Sequence, residues 1–215
     1  MSNHDHSPQF SIITAVHDQG TEIADNLPAL LTQQYEPGYE VIVVDESSSD
    51  NTTDVLKQLK AVYPHLYSTF LPKYHFQENR QRLALTLGVK AAKYDWVVFT
   101  DINTPPTSDL WLRELADNTG DSAELVLGYY NRKSGQTRLQ IFYDVDAARG
   151  IVCKAERKQA NGHSGRWLRY LRGKYDFIAV PTALGHDVLR LFGQKLRGRH
   201  LLGRRLKVLA YNLFH

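Results

Sequence analysis

The sequence predicts an α/β fold built on a doubly wound, mostly parallel sheet. Three observations carry that expectation. Short apolar runs rich in β-favouring residues recur along the chain, stretches of helical period lie between them, and the runs stop abruptly at polar, carboxylate-bearing clusters.

Taken in order, FSIITAV at 10–16 reads as a strand, and 21–34 as a helix whose Leu27, Leu30 and Leu31 share a face. Pro28 is acceptable there only in the first turns, because a proline deeper in a helix removes a backbone donor. YEVIVVD at 39–45 is a second strand. The segment 51–63 is a helix with Val55, Leu56, Leu59 and Val62 at helical spacing, and Ser49 or Asp50 suits its N-cap. LYSTFL at 66–71 is a weaker strand, 78–93 a helix bearing Leu83 and Leu87, and 95–100 a fourth strand. ELVLGYY at 124–130 reads as another strand, followed by a helix around 137–153 and a basic stretch at 161–174.

The bulk figures suit this reading. A chain of 215 residues with 42% apolar composition can bury one substantial core. The expected organisation is a disordered tail at 1–9, one domain over 10–193, and a basic segment at 194–215. The single cysteine, Cys153, excludes an internal disulfide and a cysteine-based metal cluster, which fits a reducing compartment. No run reaches the length of a membrane span or the pattern of a leader, so the expected location is cytoplasmic.

Ligands of open α/β sheets gather beyond the carboxyl ends of the strands. Those ends are AVHDQG after the first strand, DESSSD after the second and TDIN after the fourth. Asp101 and Asn103 could supply oxygen ligands to a hard divalent cation, Mg²⁺ or Mn²⁺, that bridges to a diphosphate. They could equally close a turn, since Asp and Asn bond their own backbone and Pro105 and Pro106 favour one. Capping accounts for Ser49 and Asp50 but leaves Asp45 and Glu46 without a role.

SIITAVHDQG, YEVIVVDESSSDNTTDVLKQLK and LALTLGVKAAKYDWVVFTDINTPPTSDLWL, in that order, resemble the nucleotide-binding blocks of family-two glycosyltransferases of the GT-A fold. The resemblance covers about residues 10 to 130. It implies that Ala15, Val16 and His17 lie against a nucleotide and that Asp45 accepts the imide N–H of a uracil-like base. Glu46 falls in the same block. Arg80 and Arg82 are candidates for the diphosphate, because guanidinium forks match phosphate oxygens. Asp101 then answers to the first carboxylate of the family's D-x-D, and Asn103 to its last.

That amide is one departure from the family pattern, and it removes a negative charge from the metal site. A second lies at VPTALGHDVLRLFG (180–193), after which no carboxylate follows in QKLRGRHLLGRRLK. The acceptor's proton must go to a base, for which Asp187, Asp176, His186 and His200 remain. The resemblance thus implies a transferase taking a sugar from a nucleotide-sugar donor, UDP by preference, to a glycan or lipid-linked acceptor, with inversion. The alternative is a binding or assembly subunit with an impaired site.

Seven of the 26 basic residues fall after Asp187 with no acidic residue among them. There Leu202, Leu206, Leu209 and Leu213 form one helical stripe with Arg204, Arg205 and Lys207 largely off it. Such a helix suits an anionic membrane surface on the cytoplasmic side, or packing on the sheet. Nucleic acid is the least favoured partner.

Overall fold

The computed structural model describes residues 7–73, 80–119, 123–130, 137–143 and 177–193. Strand and helix alternate through β1 (Phe10–Val16), α1 (Gly20–Leu31), β2 (Tyr39–Asp45), α2 (Thr52–Val62), β3 (Leu66–Phe70), α3 (Arg80–Ala91) and β4 (Trp96–Thr100). The short helix α4 (Trp111–Ala116) follows, then β5 (Ala123–Tyr130), β6 (Thr137–Tyr143), β7 (Phe177–Pro181) and α5 (Thr182–Gly193).

These strands form one sheet in the order β3-β2-β1-β4-β7-β5-β6. The pairs β3–β2, β2–β1 and β1–β4 are parallel. β7 is antiparallel to both β4 and β5, and β6 is antiparallel to β5. β1 to β5 therefore share one direction, and β6 and β7 oppose it.

Alternate side chains of the central strands feed two apolar layers, as strand geometry requires. Phe10, Ile12 and Val16, with Val41, Val43 and Val98, meet Ile23, Leu27, Leu30 and Leu31 of α1, Leu56 of α2, and Trp111, Leu112 and Leu115 of α4. On the other face Ile13, Ile42, Val44, Val97 and Phe99 meet Ala84, Leu85 and Val89 of α3 and Leu189 of α5. Each fully buried aliphatic or aromatic side chain in these layers contributes roughly 1.5–3 kcal/mol. Helices on both faces make the sheet doubly wound.

Several sequence expectations change. α3 turns Ala84, Leu85, Gly88 and Val89 inward and leaves Leu83 52% exposed. Gly88 sets that rotation, because a Cβ there would lie 2.4 Å from Ile13 Cγ2, so a glycine lets the helix settle closely on β1. In α2 Leu56 is buried but Val62 is 68% exposed, in the last turn of the helix. Pro28 occupies the last turn of α1 rather than the first, where Thr32 N–H and its hydroxyl both donate to the Pro28 carbonyl. The helix expected around 137–153 is instead a strand over 137–143, antiparallel to β5; residues 144–153 lie outside the described residues. TRLQIFY carries Thr, Ile, Phe and Tyr, and pairing with β5 outweighs any helical spacing in it.

The segment after β4 is tied to α1. Gln33 Nε2 donates to Ser108 O at 3.0 Å, and its Oε1 accepts Leu112 N–H at 3.2 Å. The turn that carries Asp101 and Asn103 is thereby anchored at its far side.

Candidate functional site

β1 and β2 end level with one another, since Val16 pairs with Asp45, and β4 runs parallel along the other side of β1. Ala15, Val16 and His17, Asp45 and Glu46, and Asp101 therefore gather at one edge of the sheet, where open α/β sheets place ligands. Val16 contributes backbone: its side chain is in the core and its carbonyl accepts Glu46 N–H at 2.8 Å. His17 is exposed, with Nε2 3.6 Å from Asp18 Oδ2.

Asp45 is the built part of this edge. The residue is only 6% exposed, and Oδ1 accepts Ser48 N–H at 2.8 Å and Ser48 Oγ–H at 2.6 Å. Thr53 Oγ1 lies 3.4 Å from Oδ2. Beside it opens a cavity of about 550 Å³ between α2 and β3, lined among others by Asp45, Ser48, Thr53, Leu56, Phe70 and Lys73.

The loops after β1 and β2 are stitched together above Asp45. Asp18 and Ser47 both take left-handed backbone, at φ 50° and 67°. Asp18 N–H donates to Ser48 Oγ at 2.9 Å, and the Asp18 carboxylate accepts Ser49 N–H at 2.5 Å. The Ser49 backbone bond, its largest favourable influence, holds the Asp18 carboxyl below the usual range. Asp50 accepts Thr52 N–H at 3.0 Å and Gly20 N–H at 2.9 Å, joining the first turns of both helices. Its carboxyl is held low first by the Thr52 side chain and then by the Gly20 N–H. Capping of α2 thus falls to Asp50 acting from one residue before the cap position, Asn51. A Cβ on Gly20 would lie 2.0 Å from Asn51 Oδ1, so a side chain there would displace the Asn51 amide.

Glu46 is 12% exposed at its side chain, and burial raises its carboxyl above the usual range, against the pull of Arg80 and His17. Arg80 Nη2 donates to Glu46 O at 2.7 Å, and Arg80 Nε stands 4.0 Å from Glu46 Oε2. This fixes one expected arginine at the carboxyl end of β2. Arg82 lies a half-turn further along α3 and is half-buried.

Asp101 and Asn103 look to each other. Asp101 Oδ1 accepts both Asn103 N–H and Asn103 Nδ2–H at 2.9 Å, and Thr104 N–H closes on Asp101 O at 3.1 Å. This is an Asx-type turn. No cluster of three or more His, Cys, Asp or Glu side chains able to hold a metal exists among the described residues. The turn still offers hard oxygen donors in Asp101 Oδ2 and the Asn103 amide oxygen. That set fits a cation of the Mg²⁺ kind, which commonly takes one or two carboxylates and completes its shell with substrate phosphates and water.

The candidates for the base are placed less fully. α5 starts after Pro181, which pairs with Trp96 at the end of β4 remote from Asp101, and positions 186 and 187 fall in its second turn. His186 is half-buried. Asp176 and His200 lie outside the described residues, although Phe177, next to Asp176 in sequence, pairs with Thr100. Residues 194–215, with their leucine stripe, also lie outside them, as do Cys153 and the basic stretch at 161–174. Sequence reasoning passed over Ser48 and Asp18, and assigned Asp50 only a cap. The readable signal for Ser48 was its place three residues after a strand-end Asp, the spacing at which a side chain returns to bond the carboxylate.

Comparison with known proteins decides the family. The profile of Glycosyl transferase family 2 matches residues 11–182. The chain belongs to glycosyl transferase family 2. Poly-beta-1,6-N-acetyl-D-glucosamine synthase of Staphylococcus aureus is 30% identical over 103 residues, 47% of this chain and 23% of that protein. The chain spans less than a quarter of the length of the curated relatives it matches. Among solved structures, S. aureus TarS 1-349 in complex with UDP-GlcNAc superposes with a TM-score of 0.59 at 18% identity, covering 96% of this chain and 53% of that one. The mannosyltransferase PcManGT of Pyrobaculum calidifontis, in complex with GDP-Man and Mn²⁺, gives 0.50 at 19% identity over 61% of this chain and 38% of that one. These likenesses establish the GT-A architecture that the family's fold and the strand order share.

Proposed function

We propose that this family 2 protein transfers a sugar from a nucleoside diphosphate donor, by preference a UDP-sugar, to a glycan or lipid-linked acceptor with inversion at the anomeric carbon. The observation that carries the reading is Asp45: a buried carboxylate, held by Ser48 beside a cavity at the carboxyl ends of the parallel strands. Asp45 accepts the base N–H, and Ala15, Val16 and His17 form the wall beside it. Arg80, steadied by Glu46, and Arg82 face the diphosphate charge.

The acceptor hydroxyl attacks the anomeric carbon as the bond to the diphosphate oxygen breaks, the electron pair leaving with the diphosphate. Asp101 and Asn103 would hold a Mg²⁺ or Mn²⁺ ion arriving with the donor, whose chemistry there is to stabilise the charge growing on the leaving group. The acceptor's proton goes to Asp176 or Asp187, of which Asp176 is favoured by the pairing of Phe177 with Thr100 beside Asp101. The polysaccharide product named for the staphylococcal relative supports a glycan acceptor.

No helix among the described residues is long and apolar enough to cross a membrane. The leucine stripe of 202–213 and its flanking basic residues support a peripheral place on the inner face of an anionic membrane. Pelleting with anionic vesicles that weakens with salt tests it; equal recovery with neutral vesicles overturns it.

The central experiment is calorimetric titration with UDP, with and without Mn²⁺. Binding strengthened by Mn²⁺ is expected; no binding at millimolar UDP overturns the proposal. A second reading, a binding or assembly subunit with an impaired site, is favoured by the Asn103 amide being turned onto Asp101. UDP-sugar hydrolysis that disappears in Asp101→Ala decides for the enzyme, and its absence in the intact chain decides for the subunit.

A further inference from the structure

The two oxygens of Asp45 are not equivalent. Oδ1 receives the N–H and the hydroxyl of Ser48 at 2.8 and 2.6 Å, which fills both of its acceptor positions. Oδ2 has only the long 3.4 Å approach of Thr53 Oγ1. The Ser48 hydroxyl is itself fixed in sense: its oxygen accepts Asp18 N–H at 2.9 Å, so its proton is directed to Asp45. Ser48, Thr53 and Asp45 all line the cavity.

We propose that Ser48 sets the choice of nucleobase by leaving Asp45 a single free acceptor, which matches the one imide N–H of a uracil ring. The inference rests on the reading of Asp45 as the base-binding residue and adds the reason for its selectivity. Guanine presents two parallel donors, N1–H and N2–H, and a carboxylate satisfies both only with both oxygens. Cytosine and adenine present a ring nitrogen acceptor at that edge, and two facing lone pairs repel. Uridine nucleotides therefore bind best, guanosine nucleotides next, and cytidine and adenosine nucleotides least.

Two substitutions separate this from a merely structural serine. Ser48→Ala removes the hydroxyl donor but keeps the backbone N–H, so it frees one acceptor position on Oδ1. Asp45→Asn does more. Both Ser48 donors draw the amide oxygen to the Oδ1 place, which leaves the amide nitrogen where Oδ2 stood. The site then offers a donor, which complements N3 of cytosine and opposes N3–H of uracil.

The test titrates the full chain and both variants, each verified as folded by circular dichroism, with UDP, GDP and CDP at fixed Mg²⁺. The intact chain should prefer UDP to GDP, and in Ser48→Ala that preference should narrow about tenfold, the scale of one hydrogen bond to a charged group. In Asp45→Asn the order of UDP and CDP should reverse. An unchanged UDP-to-GDP ratio in Ser48→Ala overturns the role of Ser48 while leaving Asp45 as the base-binding group, and a UDP preference retained in Asp45→Asn overturns both. Failure of the intact chain to bind any of the three overturns the underlying reading with it.

Discussion

The ends of β2 and β4 make an instructive contrast, because each closes on an acidic residue and the two are built in opposite ways. Asp45 is sunk 6% exposed, and its bonds run outward to a serine that also ties down the neighbouring loop. Asp101 is half-exposed, and its bonds run to its own turn, to the backbone and amide of Asn103. A buried carboxylate must be satisfied by other elements, so it fixes their geometry. A strand-end turn that satisfies itself fixes little beyond its own shape. The β2 end of the sheet is thus organised by bonds between elements, and the β4 end by bonds within its own turn.

The largest effect that tests this contrast is expected from Asp45→Ala. Loss of a charged acceptor should weaken UDP binding by roughly a hundredfold, the upper scale of a hydrogen bond to a charged group. It should also strand the two Ser48 donors, lowering stability by about 1–3 kcal/mol. Calorimetry and urea unfolding measure the two. A variant that unfolds earlier yet binds UDP as before would mean that Asp45 serves only the loops.

Next in size is Asn103→Asp, which rebuilds a carboxylate pair at the β4 end. The amide donor to Asp101 Oδ1 disappears, and two facing negative charges repel unless a cation lies between them. Mn²⁺-dependent UDP affinity should rise about tenfold, with UDP affinity in chelator unchanged or lower. Asp101→Ala is the smaller counterpart. It should erase the Mn²⁺ increment while changing metal-free UDP binding less than about threefold, because the proposed base contact is at Asp45 and not at Asp101. If Asp101→Ala costs as much in chelator as Asp45→Ala does, the two ends are not the unlike sites described above.

The same contrast marks what was legible in the sequence. β1, β2 and β4 were readable because their residues are buried on both faces, which leaves a continuous apolar run; β3, at the sheet edge with Tyr67 and Phe70 exposed, left a weaker one. β6 and β7 were not readable. TRLQIFY mixes Thr, Arg and Gln with its apolar residues, and FIAVP follows a basic stretch, so each owes its strand to antiparallel pairing. The strand-end acids Asp45 and Asp101 stood out by type and position. Their difference did not, because it lies in which side chain returns to each. Ser48 and Asn103 are both short polar residues within three positions of an aspartate, and only the backbone decides that one closes a network and the other a turn. Gly88 shows the same limit in the core: the spacing of Leu83 and Leu87 suggested one buried face, of which Leu87 packs on the core while the close fit of Gly88 against Ile13 leaves Leu83 exposed.

The smallest predicted effect is in the pH dependence of stability, and it bears on the network side of the contrast alone. Asp18 and Asp50 have their carboxyl groups held below the ordinary value of 3.8 by bonds they accept across the two loops. Such groups contribute stability above that value, and the contribution fades as pH falls through their folded-state values. Glu46 acts in the opposite sense: burial raises it above 4.5, so its contribution is full below that value and is lost as pH rises through the folded-state value. Thermal unfolding followed from about pH 7 down to about pH 3 should therefore show Glu46 offsetting part of the acid loss before the two aspartates give way. The double variant Asp18→Asn with Asp50→Asn should lose less stability on acidification than the intact chain, and Glu46→Gln should remove the decline on the rising side. Because Asp18 and Asp50 face water, each change should be a small shift in midpoint that salt reduces. An equal acid loss in the double variant and the intact chain would show that the stitched loops add nothing that the sheet beneath them does not already supply.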